Sequence, residues 1–214
     1  MKKMLILGGC CFAVLSATAQ GTLYYSNLGQ SSSGQRLVAS DSWLAQIVST
    51  GNGNGGYVLN AIEIQLGDST GAPSGFTVSL YDRDLNLKPS VNLEQLVGND
   101  QPAGGVYSYG SSGIHLLPSH DYFVVVTAST PASGGAFAWR TTSTSASVNE
   151  WQMTPLHQYS SADGLDWDSL PRIEKFQLAL YATPVPEPSV LVLAGLGLGA
   201  LWIGRRRRRE APEA

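Results

Sequence analysis

The chain has 214 residues and a net charge of −3, with only 14% charged residues. Positions 20–183 hold 6 basic and 13 acidic residues, a net of −7 with no basic cluster. That excludes nucleic acid as a partner, whose phosphates need Lys/Arg neutralisation, and with both cysteines at Cys10 and Cys11 it leaves the body no disulfide framework.

Residues 1–19 read as a secretory signal peptide. Lys2 and Lys3 precede an apolar stretch from Met4 to Leu15, and Ala17-Thr18-Ala19 supplies the small-x-small cleavage pattern. Leu7-Gly8-Gly9-Cys10 also has the look of a lipoprotein site, but too few apolar residues precede it for a normal h-region. Residues 20–183 have the size of one domain, long enough to bury a core without disulfide or metal staples.

Within that body the period is two. Ile62, Ile64 and Leu66 alternate with Glu63 and Gln65; Phe76, Val78 and Leu80 alternate with Thr77 and Ser79; Phe176, Leu178 and Leu180 repeat the pattern near the end. Successive side chains of a strand point to opposite faces, so each run offers one apolar face. Tyr122 to Val126 is apolar throughout and reads as a central strand buried on both sides. Further strands are expected at Leu23–Leu28, Leu44–Ser49, Val91–Val97, Val106–Tyr109 and Ala136–Thr141. Turn clusters separate them, at Gly51–Gly56, Ser69–Gly75, Gly98–Gly105, Pro131–Gly135 and Asp163-Gly164. Many short strands at this spacing predict an all-β, antiparallel β-sandwich, jelly-roll-like in form. No stretch between strands offers an amphipathic helix long enough for a parallel α/β fold.

Catalytic signatures are lacking. The sequence has no Gly-x-Ser-x-Gly and no His-Glu-x-x-His, and His115, His120 and His157 are scattered. His120 beside Asp121 has the composition of a base–carboxylate pair, yet strand neighbours face opposite ways. Asp82 and Asp84, and Asp166 and Asp168, are pairs two residues apart. Turn chemistry explains them, with each Asp accepting backbone N–H groups. A glycosidase or a Ca²⁺ site also uses facing carboxylates, but neither pair lies in an EF-hand loop. The Gly51–Gly56 run lacks the Lys-Ser/Thr ending of a phosphate cradle. No metal or cofactor is expected. The Ser/Thr-rich stretch Thr141–Ser147 reads as an exposed strand or loop. Trp43, Trp139, Trp151 and Trp167, with Tyr107, Tyr109 and Tyr159, are numerous. Trp139 shares a face with Phe137 and belongs in the core. Trp151, Trp167 and Tyr159 lie in loop-rich sequence and are the candidates for stacking on sugar faces.

The end of the chain has three parts. Residues 184–188, containing Val185, Pro186, Glu187 and Pro188, form an extended spacer, because proline fixes φ and lacks an N–H. Residues 189–204 are uncharged and mostly apolar, and the fifteen from Ser189 to Ile203 rise to roughly 22 Å as a helix, against a hydrocarbon core of about 30 Å. Residues 205–214 begin with Arg205, Arg206, Arg207, Arg208 and Arg209, a cluster that stays cytoplasmic. The body then lies outside the membrane, in agreement with the leader. A span without reserve suits a temporary hold.

Pro-Glu-Pro, a short span and an arginine cluster, in that order, resemble the PEP-CTERM sorting signal of Gram-negative bacteria. The resemblance implies an exosortase as processing partner, cleavage near Pro186 to Pro188, and transfer of the body from the periplasmic side of the inner membrane to the envelope or the exterior. Several body segments are similar to the choice-of-anchor R family: Trp43–Ile47 with Gly56–Leu59 and Ile62–Ile64; Phe76–Asp82; Leu117-Pro118 with Tyr122–Val125; and Ala138-Trp139 with Asp163–Trp167. That similarity implies an extracellular β-sandwich without assigned activity. The expected role is therefore structural or adhesive and not enzymatic. Two rivals stand beside it: a carbohydrate-binding module contacting exopolysaccharide, which needs exposed coplanar rings, and a glycan-active enzyme, which needs two carboxylates facing a cleft.

Overall fold

The structure, a computed structural model, describes residues 21–144, 149–153, 158–170 and 174–186. The expected signal peptide (1–19), membrane span (189–204) and basic tail (205–214) lie outside them, apart from which the described residues contain no helix long and apolar enough to cross a membrane. The described chain is all strand and loop. Its elements are β1 (Thr22–Ser26), β2 (Gly34–Val38), β3 (Trp43–Ser49), β4 (Tyr57–Gly71), β5 (Thr77–Arg83), β6 (Pro89–Gln95), β7 (Gly105–Gly110), β8 (His115–Leu116), β9 (Asp121–Thr127), β10 (Gly135–Thr142), β11 (Gln158–Ser161), β12 (Asp168–Ser169), β13 (Lys175–Phe176) and β14 (Leu178–Pro184).

They form two antiparallel sheets. The larger runs β1-β14-β4-β10-β13, with β2 on β10 and β7 and β8 on β4; the smaller runs β12-β11-β3-β9-β5-β6. One core lies between them. Leu59, Ile62, Ile64 and Leu66 of β4, Phe137 and Trp139 of β10, and Leu178 and Leu180 of β14 meet Leu44 and Val48 of β3, Val78 and Leu80 of β5, and Tyr122, Val124 and Val126 of β9. This is a β-sandwich. Full burial of such a side chain contributes about 1.5–3 kcal/mol, so the shared core dominates the favourable side.

β4 is the backbone of the larger sheet, and its length depends on a bulge. Tyr57 and Leu59 face the core, and so do Ile62, Ile64 and Leu66. Those two sets differ in parity. Opposite β14, Tyr181 pairs with Ala61 and Ala182 with Leu59, leaving Asn60 as the extra residue. A bulge re-aims the following side chains, so both halves of the strand serve one core.

β9 is central, between β3 and β5, and both of its faces are covered. Its Phe123 and Val125 pack with Ala45, Ile47, Tyr81, Tyr159 and Trp167 in a second cluster on the outer face of the smaller sheet. The loop before β12 folds over that face and brings Trp167 down as its cover; Lys88 Nζ donates to Trp167 O at 2.7 Å.

The two sheets are also joined by buried amides where the chain passes from β13 to β14. Gln177 N–H donates to Arg140 O, and Gln177 O accepts from Gln65 N at 3.1 Å and from Trp139 Nε1 at 3.0 Å. The Trp139 ring stacks on Phe176, centroids 4.2 Å apart and planes at 14°. Asn27, the residue after β1, spans the same point: its Oδ1 accepts from Leu178 N at 2.7 Å and its Nδ2 donates to Phe176 O at 3.0 Å. Gln46 of β3 reaches across from the other sheet, its Oε1 accepting from Phe176 N and from Gln158 Nε2. Thr141 and Thr142, expected to be exposed, are buried in β10, because Thr141 Oγ1 meets Glu174 Oε2 and Thr142 Oγ1 donates to Ser31 O. Ser145–Ser147 of that stretch lie outside the described residues.

Candidate functional site

The body ends on an inner strand. β14 is paired on one side with β1 and on the other with β4, and its pairing runs to Pro184 opposite Tyr57. One further hydrogen bond follows: Val185 N–H donates to Gly56 O at 3.0 Å. Pro186 has no N–H to give and is exposed. The Gly51–Gly56 loop forms the seat for this exit. Gly56 holds φ +74°, a conformation that favours glycine, and a Cβ on Gly55 would fall 2.3 Å from Val185 O. Tyr57 Oη accepts from Gly53 N, and His115 Nε2 lies 3.1 Å from Gly55 O, so both flanks of the loop are tied down. Among the described residues, backbone pairing at this exit therefore reaches Val185, one residue before the first proline of the Pro186-Glu187-Pro188 sequence. Glu187, Pro188 and Arg205 to Arg209 lie outside the described residues.

Residues 184–209 match the PEP-CTERM protein-sorting motif. The match begins on the last residue of β14 and ends on the last of the five arginines. A PEP-CTERM signal marks an exported protein that an exosortase processes at the membrane. No curated protein and no solved structure matches the chain.

The aromatic residues singled out for sugar stacking are inside the body that carries this PEP-CTERM signal. Trp151 is 1% exposed, Trp167 3% and Tyr159 5%. Trp151 closes a three-ring cluster with Tyr24 and Tyr57, with centroids 5.0 and 5.1 Å away. Tyr159 meets Phe123 edge-on at 5.6 Å. Each ring is spent on packing, so none of the three presents a face to a glycan. Trp139 is buried beside Phe137, as its alternation implies. Loop-rich sequence around Trp151 and Trp167 gave no hint that these loops fold back as covers.

The carboxylates do turn chemistry. Asp84 accepts from the backbone N–H groups of Lys88 and Asn86, both at 2.8 Å, and these bonds, led by that from Lys88, hold its carboxyl below the usual Asp range. Asp163 does the same for the loop ahead of β12, accepting from Leu165 and Asp166 N–H groups, which lower its pKa. Asp166 takes part through its backbone, and Asp168 is exposed on β12. Asp82 is different. Its Oδ1 lies 2.8 Å from His120 Nε2, across 38 residues of sequence. Sequence adjacency suggested Asp121 as the partner of His120, but Asp121 turns to Ser49 Oγ and Arg83 instead. Strand pairing decides this, because Asp82 stands opposite Tyr122 in the β5–β9 ladder. His115 is the neighbour of the exit loop, and His157 lies outside the described residues.

An open polar groove of about 380 Å³ lies at the same end as the exit loop, lined by Ser49, Asn52, Ser119, Asp121, Glu150 and Gln152 among others. Ser119 and Glu150 hold positive φ, 50° and 70°. Among the described residues no group of three or more His, Cys, Asp or Glu is arranged to hold a metal ion.

Proposed function

We propose that this chain is an exported envelope or matrix protein with a structural or adhesive role, held briefly at the inner membrane by its C-terminal helix and released by an exosortase. One observation carries the reading: among the described residues the last backbone hydrogen bond past β14 is that of Val185, and the Pro-Glu-Pro sequence begins at the next residue. A processing enzyme binds extended chain through backbone groups that are not already paired, and Pro186, exposed and without an N–H, lies just past the last paired residue of the body. Scission near Pro186 to Pro188 breaks an amide C–N bond. The acyl carbon passes to water or to an acceptor nucleophile, and the departing segment keeps the nitrogen as an amine with the proton that the nucleophile gives up.

We place the body with the choice-of-anchor R domains on the order of its strand patterns: Trp43–Ile47 lies on β3, Ile62–Ile64 on β4, Val78–Asp82 on β5 and Tyr122–Val125 on β9. The winding is jelly-roll-like in that the chain changes sheet repeatedly, from β2 to β3, β3 to β4, β4 to β5, β6 to β7, β8 to β9, β9 to β10, β10 to β11 and β12 to β13. A scaffold of this kind, exported and set free by cleavage, suits a structural component better than a catalyst.

The test is replacement of Pro186, Glu187 and Pro188 by alanine in cells that have an exosortase. The variant is expected to accumulate at full length in the inner-membrane fraction, while the parent appears as a shorter form outside it. An unchanged size and distribution would count against processing.

A further inference from the structure

We propose that the end of the sandwich formed by the Gly51–Gly56 loop and residues His115–Ser119 rests against lipid headgroups while the sorting signal is uncut, with the opposite end pointing away from the bilayer. This rests on the reading of residues 189–204 as a membrane span. The exit fixes which end is involved. Val185 is held on Gly56 O, Gly55 leaves room for the Val185 carbonyl, and Leu116 pairs with Tyr57 beside them. The tether is short: only Glu187 and Pro188 separate Pro186 from Ser189, where the apolar run begins. Three extended steps reach about 10 Å at most, much less than the length of the body.

The surface at this end suits the contact. Residues 51–56 and 115–119 contain no Asp, Glu, Lys or Arg, and the carboxylates nearest them, Asp121 and Glu150, line the groove beside Gly51 and Ser119. Asn52, Asn54 and Ser119 are exposed and polar, and Leu117 is 53% exposed, an apolar side chain at the rim of the exit. The strand β4 measures the distance to the other end. Tyr57 starts it beside the exit, and Gly71 ends it opposite Gly135. Fourteen steps of about 3.3 Å put those ends at most about 46 Å apart, a span that the bulges at Asn60 and between Gly67 and Thr70 shorten, with exposed Ser133 beside the far one.

The sequence makes a direct test available, because the body has no cysteine and the leader's two are replaced by C10S and C11S. N52C, L117C and S133C are each introduced into the full chain, labelled with a small environment-sensitive fluorophore, and reconstituted in phosphatidylethanolamine–phosphatidylglycerol vesicles containing a headgroup-nitroxide lipid. Quenching is expected to be several-fold stronger for N52C and L117C than for S133C, and to vanish in a chain stopped after Pro186. Vesicle-bound protein with equal quenching at all three positions, or stronger quenching for S133C, overturns the proposal while leaving the span intact. Failure of the full chain to float with vesicles overturns the span itself, and the proposal with it.

Discussion

Asn27 offers the sharpest test of how the sandwich holds its last strand. Its side chain is fully buried and replaces two backbone partners at once, accepting from Leu178 N at 2.7 Å and donating to Phe176 O at 3.0 Å. Asn27→Ala removes both bonds and leaves an N–H and a C=O buried beside a small void. Each unsatisfied group costs about 1–3 kcal/mol, so the change is expected to cost about 2–6 kcal/mol. That is a large part of the roughly 5–15 kcal/mol that a domain has in total. Asn27→Asp refines the test. A protonated Asp can still donate to Phe176 O and accept from Leu178 N, whereas a carboxylate places an unpaired oxygen against that carbonyl. Burial and repulsion raise the folded-state pKa above the unfolded value of about 3.9. Stability is then fully present below the unfolded pKa and is lost as pH rises through the folded pKa. Urea unfolding of the full chain in mild detergent, followed by tryptophan fluorescence at pH 4 and pH 7, reads both variants. An Asn27→Ala variant within about 0.5 kcal/mol of the parent, or an Asn27→Asp variant no more stable in acid relative to the parent, would refute the role given to this side chain.

Other outcomes follow from the same packing. Glu94 ties β6 to the turn after β7, its Oε2 accepting from Ser111 Oγ at 2.6 Å and its Oε1 from Ser112 N. Burial raises its pKa, but the bonds from Ser111 and Ser112 outweigh that and bring it below the usual 4.5. Its contribution to stability is therefore present above pH 4.5 and lost as pH falls through the lower folded value, so Glu94→Gln should flatten the acid limb of a pH–stability curve. Gly164 holds φ +79°, and a Cβ there would lie 2.6 Å from Trp43 Cζ3. Gly164→Ala should cost about 1–2 kcal/mol for the backbone alone, and by displacing the Trp43 ring it should red-shift the emission. Trp151→Ala should cost about 3–5 kcal/mol in a urea titration, because it empties the cluster with Tyr24 and Tyr57. Unchanged stability with lost polysaccharide binding would instead restore Trp151 as a glycan platform.

The alternating runs located the centres of the sheets well. Ile62–Leu66, Val78–Leu80 and Tyr122–Val126 all sit on strands that supply the core. What periodicity misses is a change of phase: Tyr57 and Leu59 serve the same core as Ile62, but the bulge at Asn60 breaks the count. The edge strands β1 and β6 overlap the expected Leu23–Leu28 and Val91–Val97, but other short strands were hidden. Gly34–Val38 buries mainly Val38, and Gln158–Ser161 is polar apart from Tyr159, its burial resting on the Gln158–Gln46 bond and on the packing of Tyr159 against Phe123. Polar core positions such as Asn27, Gln46 and Gln177 cannot be read from hydropathy, since tertiary partners alone justify their burial. The same limit misplaced the rings of Trp151 and Trp167, which cover the sheets from connecting segments, and of Tyr159, which lies on β11 itself. The sorting signal was the most legible feature, because its chemistry is contiguous: prolines that cannot pair, an apolar run and a block of arginines. That strand pairing among the described residues reaches Val185, the residue just before those prolines, is displayed only by the fold.

The central claim is that the exported body loses its C-terminal segment. Intact mass of the protein recovered from the envelope and medium of exosortase-positive cells tests it directly. The expected mass lacks residues 1–19 and ends between Pro186 and Pro188, with the full-length tail appearing only when the exosortase is deleted. A mature mass that still contains Arg205 to Arg209 in exosortase-positive cells would contradict the account.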